Sequence, residues 1–301
     1  EMTVFDRSGF DNDLESSPMN PASTYDRHRP LAGFNVISLA QNLPGPVALS
    51  MLVADGVTAT KIEPPSGDLL HLACPPWYED LHRGVEVYAL DLREPSQMAS
   101  LRTILAQSDL LITSQRPSAL SRLGFTAPSL MEINSRLCWV EIVGDTRAPE
   151  VPGHDLTYQM DAGLVAPPSM PLTLIADLGG AAEAARAGLA LLLGRERGSQ
   201  GRHRTVGLKQ AALAFAAPVG YGLTRSGGAL SGAFPGYGIH PLKNGWAAVA
   251  AIEPKFAARL MEITAGDPEG FLSDLSVSEV DEIAKINDLP ISTVFGSEET
   301  S

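Results

Sequence analysis

Short apolar runs and amphipathic segments alternate along the first half of the chain. The apolar runs predict buried strands, and they lie at 35–40, 59–62, 85–92, 110–113 and 137–142. Segments with helical spacing separate them, at 47–55 (directly after the turn 44–46), 96–106 and 128–133. Because strands that alternate with helices form parallel sheets, this part of the sequence predicts an α/β fold with a Rossmann-like parallel sheet.

The second half of the chain changes in composition. An Ala- and Leu-rich stretch at 179–195 predicts a long buried helix, and 208–217 predicts another. Residues 218–235 are rich in Gly, Ser and Pro, which is typical of a linker between domains. A strand at 246–251 and helices at 254–263 and 277–287 predict a smaller α+β domain. The predicted organisation is an N-terminal extension (1–30), a large domain (31–217), a linker (218–235) and a small domain (236–301).

Charge and composition exclude several classes of protein. The 301 residues carry a net charge of −13, which disfavours partners such as nucleic acids or anionic membrane surfaces. The chain has two cysteines and no His/Cys cluster with metal-ligand spacing, so we expect neither a disulfide framework nor a metal site. No apolar stretch approaches the length of about 18 residues that a membrane helix needs. These features predict a cytoplasmic protein.

Candidate chemistry rests on three polar positions. No GxGxxG sequence follows the first strand, which disfavours a nicotinamide enzyme. His154, in the run Gly153-His154-Asp155, precedes an apolar-spaced segment and is predicted to open a helix with free N–H groups. Asp177 lies before Gly179-Gly180, a pair that permits close approach of a ligand to the backbone, and Glu253 precedes Pro254. Histidine and carboxylates are suited to general acid–base work.

Each of these positions has a structural alternative. His154 and Asp177 are placed where residues cap helices, and Asp155 in a first helical turn would stabilise the helix dipole. Glu253 is placed to cap a helix whose first residue is Pro254. From spacing alone, capping is favoured for His154 and for Asp177, so these residues do not establish a catalytic site on their own.

The order of the motifs resembles the family III CoA-transferases of the CaiB/BaiF type, from about residue 31 to 263. The family's first strand and turn are matched by 31–40 with 44–46, and its second strand and loop by 61–65 with 67–68. The segments 89–92, 116–117 and 122–124 also match. Within the superfamily, Gly153-His154-Asp155 with Tyr158, the segment 176–180 and the segment 251–254 with Phe256 resemble the α-methylacyl-CoA racemases.

The resemblance implies a role for each candidate. His154 and Asp177 would stand on opposite faces of the substrate's α-carbon, and Glu253 would pair with His154. The backbone N–H of Asp155 would stabilise the enolate oxygen, as donors at a helix start can. Inversion α to a thioester needs one group to remove a proton and another to return one to the opposite face. No metal or organic cofactor is implied, since coenzyme A is part of the substrate.

Binding of the acidic CoA moiety by an acidic protein requires local cations. The family pattern supplies Lys61, Arg116 and Arg122 as candidates. Surface salt bridges are the alternative for the two arginines, and a strand-end position is common for a lysine. Tyr158 shares a helical face with His154, so it is expected either to shape the acyl pocket or to fill the core.

The sequence also departs from the family. Residues 144–149 stand where related enzymes carry a glycine-rich GxGQxGP loop, and Thr205 and Gln210 stand where acidic residues are common. The interval from His154 to Asp177 is several residues shorter than in the racemases. The long C-terminal segment that returns to the large domain is missing, so the small domain is expected to be truncated. The implied partner is a second copy in a homodimer with Glu253 acting across the interface, and full activity of a monomer would contradict this.

Three functions follow from these observations. The favoured one is racemisation or epimerisation at the α-carbon of a 2-methylacyl-CoA, without a cofactor. The first alternative is a CoA-transferase in which Asp177 attacks the thioester to form an anhydride. The second is a CoA-binding relative without catalysis. Methyl-branched fatty acyl, steroid side-chain and aryl-propionyl thioesters all stay open as substrates.

Overall fold

The structure, a computed structural model, describes residues 29–296. Apart from its last two residues, the predicted N-terminal extension (1–30) lies outside this range. The described chain divides into two compact units between Ala216 and Ala217. The larger unit holds a parallel sheet with helices on both faces, and the smaller unit holds an antiparallel sheet with helices.

The sheet of the larger unit has six parallel strands in the order β3-β2-β1-β4-β5-β6. Chain order reverses between β1 and β4, which is the strand order of doubly wound nucleotide-binding folds. The predicted Rossmann-like α/β fold is therefore confirmed. The strands are β1 (Asn35–Ser38), β2 (Thr58–Glu63), β3 (Val85–Ala89), β4 (Leu110–Thr113), β5 (Cys138–Val143) and β6 (His203–Gly207).

Two apolar cores flank this sheet, because alternate residues of its strands point to opposite faces. Val36, Leu110 and Ile112 pack on one side with α1 and α8. Ile37, Leu111 and Trp139 pack on the other side with α4 and α6. The helices are α1 (Pro44–Ala54), α2 (Leu69–Ala73), α3 (Pro75–Leu81), α4 (Pro95–Ala106), α5 (Pro117–Arg122), α6 (Ala127–Ile133), α7 (Asp155–Ala162), α8 (Ile175–Glu196) and α9 (Leu208–Phe215).

Helix α8 begins four residues earlier than the sequence predicts, so Asp177 lies in its first turn. The glycine pair that suggested a ligand contact serves helix packing instead. A Cβ at Gly179 would lie 2.3 Å from the Phe215 ring, and one at Gly180 would lie 2.3 Å from a Leu208 methyl group. The two glycines therefore let α9 approach α8 closely.

The smaller unit contains the three-stranded antiparallel sheet β7-β8-β9. Its apolar core includes Val249, Leu260, Leu272 and Val280. The helices predicted at 254–263 and 277–287 are confirmed with the same bounds, whereas residues 221–236 are mostly turns. The elements are α10 (Ala217–Gly220), β7 (Tyr237–Leu242), β8 (Gly245–Ala250), α11 (Pro254–Ile263), α12 (Pro268–Ser273), α13 (Val277–Asn287) and β9 (Ile291–Phe295).

Among residues 29–296, no helix combines the length and the apolar character that crossing a membrane requires.

Candidate active site

A cavity of about 250 Å³ lies at the carboxyl ends of β1, β4 and β5 in the larger unit. Ligands of doubly wound folds bind at this edge, where the strand order reverses. Four of the predicted site residues line the cavity together: Arg116, His154, Tyr158 and Asp177. The rest of its wall is formed by Gln41, Asn42, Pro44, Ser114, Gln115, Ile142, Val143, Gly144, Pro149, Val151, Pro152, Gly153 and Leu208.

His154 precedes the first residue of α7, as predicted, and its extended backbone makes it the N-cap residue. The turn is closed by Thr157, whose hydroxyl accepts from the His154 N–H at 3.1 Å and donates to the His154 carbonyl at 2.7 Å. The residue is exposed and lines the cavity. A histidine presented in this way can exchange a proton with a bound ligand.

Asp177 is partly buried in the first turn of α8 and lines the same cavity. The N-cap residue of α8 is Leu174, so Asp177 is not the capping residue that spacing favoured. Burial raises the pKa of the Asp177 carboxyl from its ordinary value of 3.8 to about 7, and the negative charge of Asp155 adds to the effect. Near neutral pH, both the acid and the carboxylate are therefore populated.

Asp177→Asn is expected to stabilise the protein at neutral pH. The folded-state pKa of about 7 lies above the ordinary 3.8. The folded state therefore holds this proton more tightly, and the wild-type free energy of unfolding falls as the pH rises between these values. The asparagine variant avoids this loss, so its advantage grows through the same window to at most about 4 kcal/mol.

Urea unfolding of both proteins at about pH 4, 5.5 and 8 measures this difference. An advantage that is the same at all three pH values would contradict the raised pKa of Asp177. The matched control is Asp161→Asn, which removes an exposed carboxylate at the end of α7.

Tyr158 is 6% exposed and packs with Ala176 and Ala212. Two glycines make room for its hydroxyl end: a Cβ at Gly144 would lie 2.0 Å from the hydroxyl oxygen, and one at Gly153 would lie 2.5 Å from it. Burial and the nearby charge of Asp177 raise the pKa of Tyr158, so the phenol stays protonated. Tyr158 therefore fills core with its ring and brings an O–H group to the cavity.

The backbone N–H and the side-chain carboxylate of Asp155 have different surroundings. The predicted oxyanion role requires a backbone N–H without a protein acceptor, and among residues 29–296 no acceptor contacts the N–H of Asp155. Asp155 itself does not line the cavity. Its buried carboxylate instead accepts from the N–H groups of Ala176 at 2.8 Å and Asp177 at 3.0 Å. Sequence reasoning missed this contact, because no local pattern connects residues that lie 21 and 22 positions apart.

The two arginines predicted to contact CoA end up in different places. Arg116 is the N-cap residue of α5 and lines the cavity, whereas Arg122 is exposed at the end of the same helix and does not. Ser118 lies between the two arginines in the sequence, and its N–H and its hydroxyl both donate to the Glu150 carboxylate at 2.8 Å. These bonds lower the pKa of Glu150, and both arginines contribute. Arg116 is therefore the better placed cation.

Lys61 does not reach the cavity, which corrects the expectation of a CoA contact. Its side chain is fully buried, and its ammonium group lies 2.6 Å from Asp68 Oδ2, 2.8 Å from Glu63 Oε1 and 3.0 Å from His82 Nε2. Burial and the Lys61 charge lower the pKa of His82, which fits a neutral ring that accepts at Nε2. All three ammonium donors are thus used inside the protein, and the position serves structure.

Residues 144–149 replace the glycine-rich loop expected from the resemblance. The segment is fastened by Gln210, whose Nε2 donates to Asp145 Oδ1 at 2.7 Å and whose Oε1 accepts from the Thr146 N–H at 3.0 Å. Thr205 donates to Glu141 at 3.3 Å. Amide and hydroxyl groups at these two positions can donate to acidic neighbours, which carboxylates cannot.

Glu253 lies in the smaller unit, as the N-cap residue of α11. It is exposed, its side chain makes no capping hydrogen bond, and Pro254 is the first helical residue as predicted. Its pairing with His154 stays a prediction. Within the described range 29–296, no three His, Cys, Asp or Glu side chains are grouped so that they could hold a metal ion.

Comparison with known proteins identifies relatives with two kinds of activity. The chain is 27% identical to acetyl-CoA:oxalate CoA-transferase of Acetobacter aceti over 67% of its length and 55% of that protein. It is 26% identical to α-methylacyl-CoA racemase of Mus musculus over 85% of its length and 70% of that protein. The chain thus spans little more than half of the first relative.

The same architecture is found in a solved structure. Protein Rv3272 from Mycobacterium tuberculosis superposes with a TM-score of 0.77 at 21% identity, over 88% of this chain and 85% of that one. This likeness concerns the fold. The family model described as CoA-transferase family III matches residues 31–294, which is most of the sequence. The chain therefore belongs to CoA-transferase family III, whose members include both transferases and racemases.

Proposed function

We propose that this protein inverts the α-carbon of a 2-methylacyl-CoA thioester by transferring protons between two bases. The observation that carries the proposal is the shared cavity of His154 and Asp177, in which the pKa of Asp177 is raised to about 7. General acid–base groups work best when their pKa values lie near the working pH. The similarity to the mouse racemase, over 85% of this chain, supports the same chemistry.

In the proposed reaction, neutral His154 removes the α-hydrogen as a proton. The electron pair of the broken C–H bond moves towards the thioester oxygen and forms an enolate. The protonated carboxyl of Asp177 then returns a proton to the opposite face of the α-carbon. The reverse direction uses ionised Asp177 and protonated His154, and a pKa of about 7 keeps both forms of Asp177 available.

Three further groups complete the proposed site. The N–H of Asp155, which no acceptor within residues 29–296 contacts, lies next to cavity residue His154 and stabilises the enolate oxygen. The Tyr158 hydroxyl, which stays protonated, supplies a second donor within the cavity. Arg116 faces the acidic CoA moiety, as a guanidinium that binds phosphate oxygens. No metal or organic cofactor takes part, and Glu253 pairs with His154 in a homodimer.

A CoA-transferase reaction is the second candidate, because the similarity to the Acetobacter enzyme covers two thirds of the chain. There the ionised Asp177 attacks the thioester carbonyl, forming an anhydride and releasing CoA as the thiolate. The same cavity serves both reactions, but the transferase route leaves the α-hydrogen in place. This difference separates the two candidates.

The test is incubation of (S)-2-methylacyl-CoA with the protein in heavy water, followed by NMR and chiral analysis. Racemisation predicts deuterium at the α-carbon together with loss of stereochemical purity. Retention of the α-hydrogen, together with transfer of CoA to an added carboxylic acid to give the thioester of that acid, would replace the proposal by the transferase reaction.

A further inference from the structure

The carboxylate of Asp155 is almost fully enclosed, with 4% of the residue exposed. It points to the start of a neighbouring helix. Its Oδ1 accepts from the backbone N–H groups of Ala176 and Asp177 in the first turn of α8. Its Oδ2 accepts from Gln159 Nε2 at 2.5 Å. A side chain of α7 thus satisfies donors that the start of α8 leaves without intrahelical partners.

Gln159 extends this contact to the segment that enters α8. It is 2% exposed, and the amide nitrogen that donates to Asp155 also donates to the Thr173 carbonyl at 2.8 Å. Residues on both sides of Leu174 are therefore tied to one face of α7. The backbone that carries Asp177 is fixed by buried polar contacts as well as by apolar packing.

These contacts also change the electrostatics of Asp177. A carboxylate in the first turn of a long helix is normally stabilised by the free N–H groups and by the helix dipole. Here the N–H groups of Ala176 and Asp177 are occupied by Asp155. Asp177 loses these donors and gains a negative neighbour.

We propose that Asp155 is a positioning residue for Asp177, whose carboxylate anchors the first turn of α8 and places a fixed negative charge beside the Asp177 carboxyl. This inference rests on the proposed function, in which Asp177 must deliver a proton. A negative neighbour favours the protonated form of a carboxyl group. The direction agrees with the raised pKa of Asp177, to which burial contributes most and Asp155 adds.

The other ionisable groups around α8 do not replace Asp155 in this role. Lys209 on α9 is paired with Asp161 at 2.6 Å and lies 3.7 Å from Asp145, so its charge is balanced. Helix α1 carries no charged side chain. The remaining ionisable groups on α7, α8, β5 and β6 or next to them in the sequence are His154, Tyr158, Glu183, Arg186, Arg195, Glu196, Arg197, Cys138, Glu141, Arg202, His203 and Arg204.

The test is a direct titration of Asp177 in the full chain without substrate. Protein labelled with ¹³C at aspartate carboxyl carbons is titrated by NMR, and the Asp177 signal is identified by its loss in Asp177→Asn. Asp155→Asn keeps an oxygen that accepts from both N–H groups but removes the charge. We expect the Asp177 midpoint to fall by about one pH unit, while burial keeps it above the ordinary value of 3.8.

Two further variants keep the test decisive. Asp155→Ser supplies another neutral acceptor and is expected to lower the midpoint as well, which covers the case in which the asparagine variant does not fold. Gln159→Met disturbs the same contact but leaves both carboxylates, so we expect little change in the midpoint. An unchanged midpoint in both Asp155 variants, or an equal fall in Gln159→Met, would overturn the inference.

This titration is independent of turnover. Absence of α-deuterium incorporation in the wild-type protein would remove the proposed function but leave the titration result intact. Where exchange is observed, the limb of the pH–rate profile that reports Asp177 is expected to move to lower pH in Asp155→Asn, by the same amount as the titration midpoint. Loss of activity without that shift would indicate a purely structural role.

Discussion

Asp177→Asn is expected to lower the rate of racemisation by roughly 10²–10⁴-fold, and His154→Gln by a similar factor, because this is what a positioned acid or base contributes. The two variants should nevertheless differ in a measurable way. In a two-base site, the remaining base can still remove a proton from its own face and return one from solvent to that face. Each variant is therefore expected to exchange the α-hydrogen of one enantiomer only, with retention of configuration.

The measurement is deuterium incorporation into separate (R)- and (S)-2-methylacyl-CoA samples by each variant. Opposite enantiomer preferences in the two variants would identify the face served by each residue. Asp161→Asn, which removes an exposed carboxylate paired with Lys209, is the control and should behave as wild type. Full racemisation by either His154→Gln or Asp177→Asn would contradict the assignment of both residues as bases.

Lys61→Met is expected to lower the free energy of unfolding by roughly 3–5 kcal/mol, the usual loss when one member of a buried ion pair is removed. The substitution would leave Glu63 and Asp68 as buried carboxylates without their cation, at 7% and 2% exposure. Asp68 also accepts from the N–H of Asn42, a cavity residue with a φ of 63°. We therefore expect the substitution to disturb the position of Asn42 in the cavity wall as well.

Urea unfolding followed by tryptophan fluorescence measures this loss, since Trp77 packs against the core that includes α1 and β1. The matched control is Lys209→Met, which breaks a lysine–carboxylate pair of similar length whose side chains are 28% and 53% exposed. Surface pairs contribute about 0–1 kcal/mol. An equal decrease in the free energy of unfolding in the two variants would show that the buried ion pairs of Lys61 stabilise the fold no more than a surface pair does.

Much of the larger unit could be predicted from the alternation of apolar runs with amphipathic segments. The strand predicted at 110–113 is buried on both faces and has the same bounds in the structure. The apolar pattern does not predict strand β6, because its first three residues, His203, Arg204 and Thr205, are polar and exposed at the sheet edge. The sequence predicts a later start for α8, because Gly179 and Gly180 are unusual inside a helix. Both glycines are present because α9 packs closely against α8 at these positions.

The site was predictable to the extent that its residues follow strand ends and helix starts. Arg116, His154 and Asp177 come together because the carboxyl edge of a parallel sheet gathers such positions. The burial of Lys61 was not predictable, since one of its partners, His82, lies 21 residues away. The contact of Asp155 with the start of α8 was not predictable either, since it joins residues 21 and 22 positions apart.

The close contact of Gly179 and Gly180 with Phe215 and Leu208 has a consequence for how this site tolerates sequence change. The contact lies within one helical turn of Asp177 and fixes the position of α8 along α9. The connection at 163–174 therefore joins the end of α7 to the start of α8, and the positions of these two ends do not depend on the length of the connection. Insertions and deletions there change the length of the bridge without moving the carboxyl group, since surface loops absorb such changes at little energetic cost. A shorter interval between His154 and Asp177 is thus compatible with an unchanged cavity.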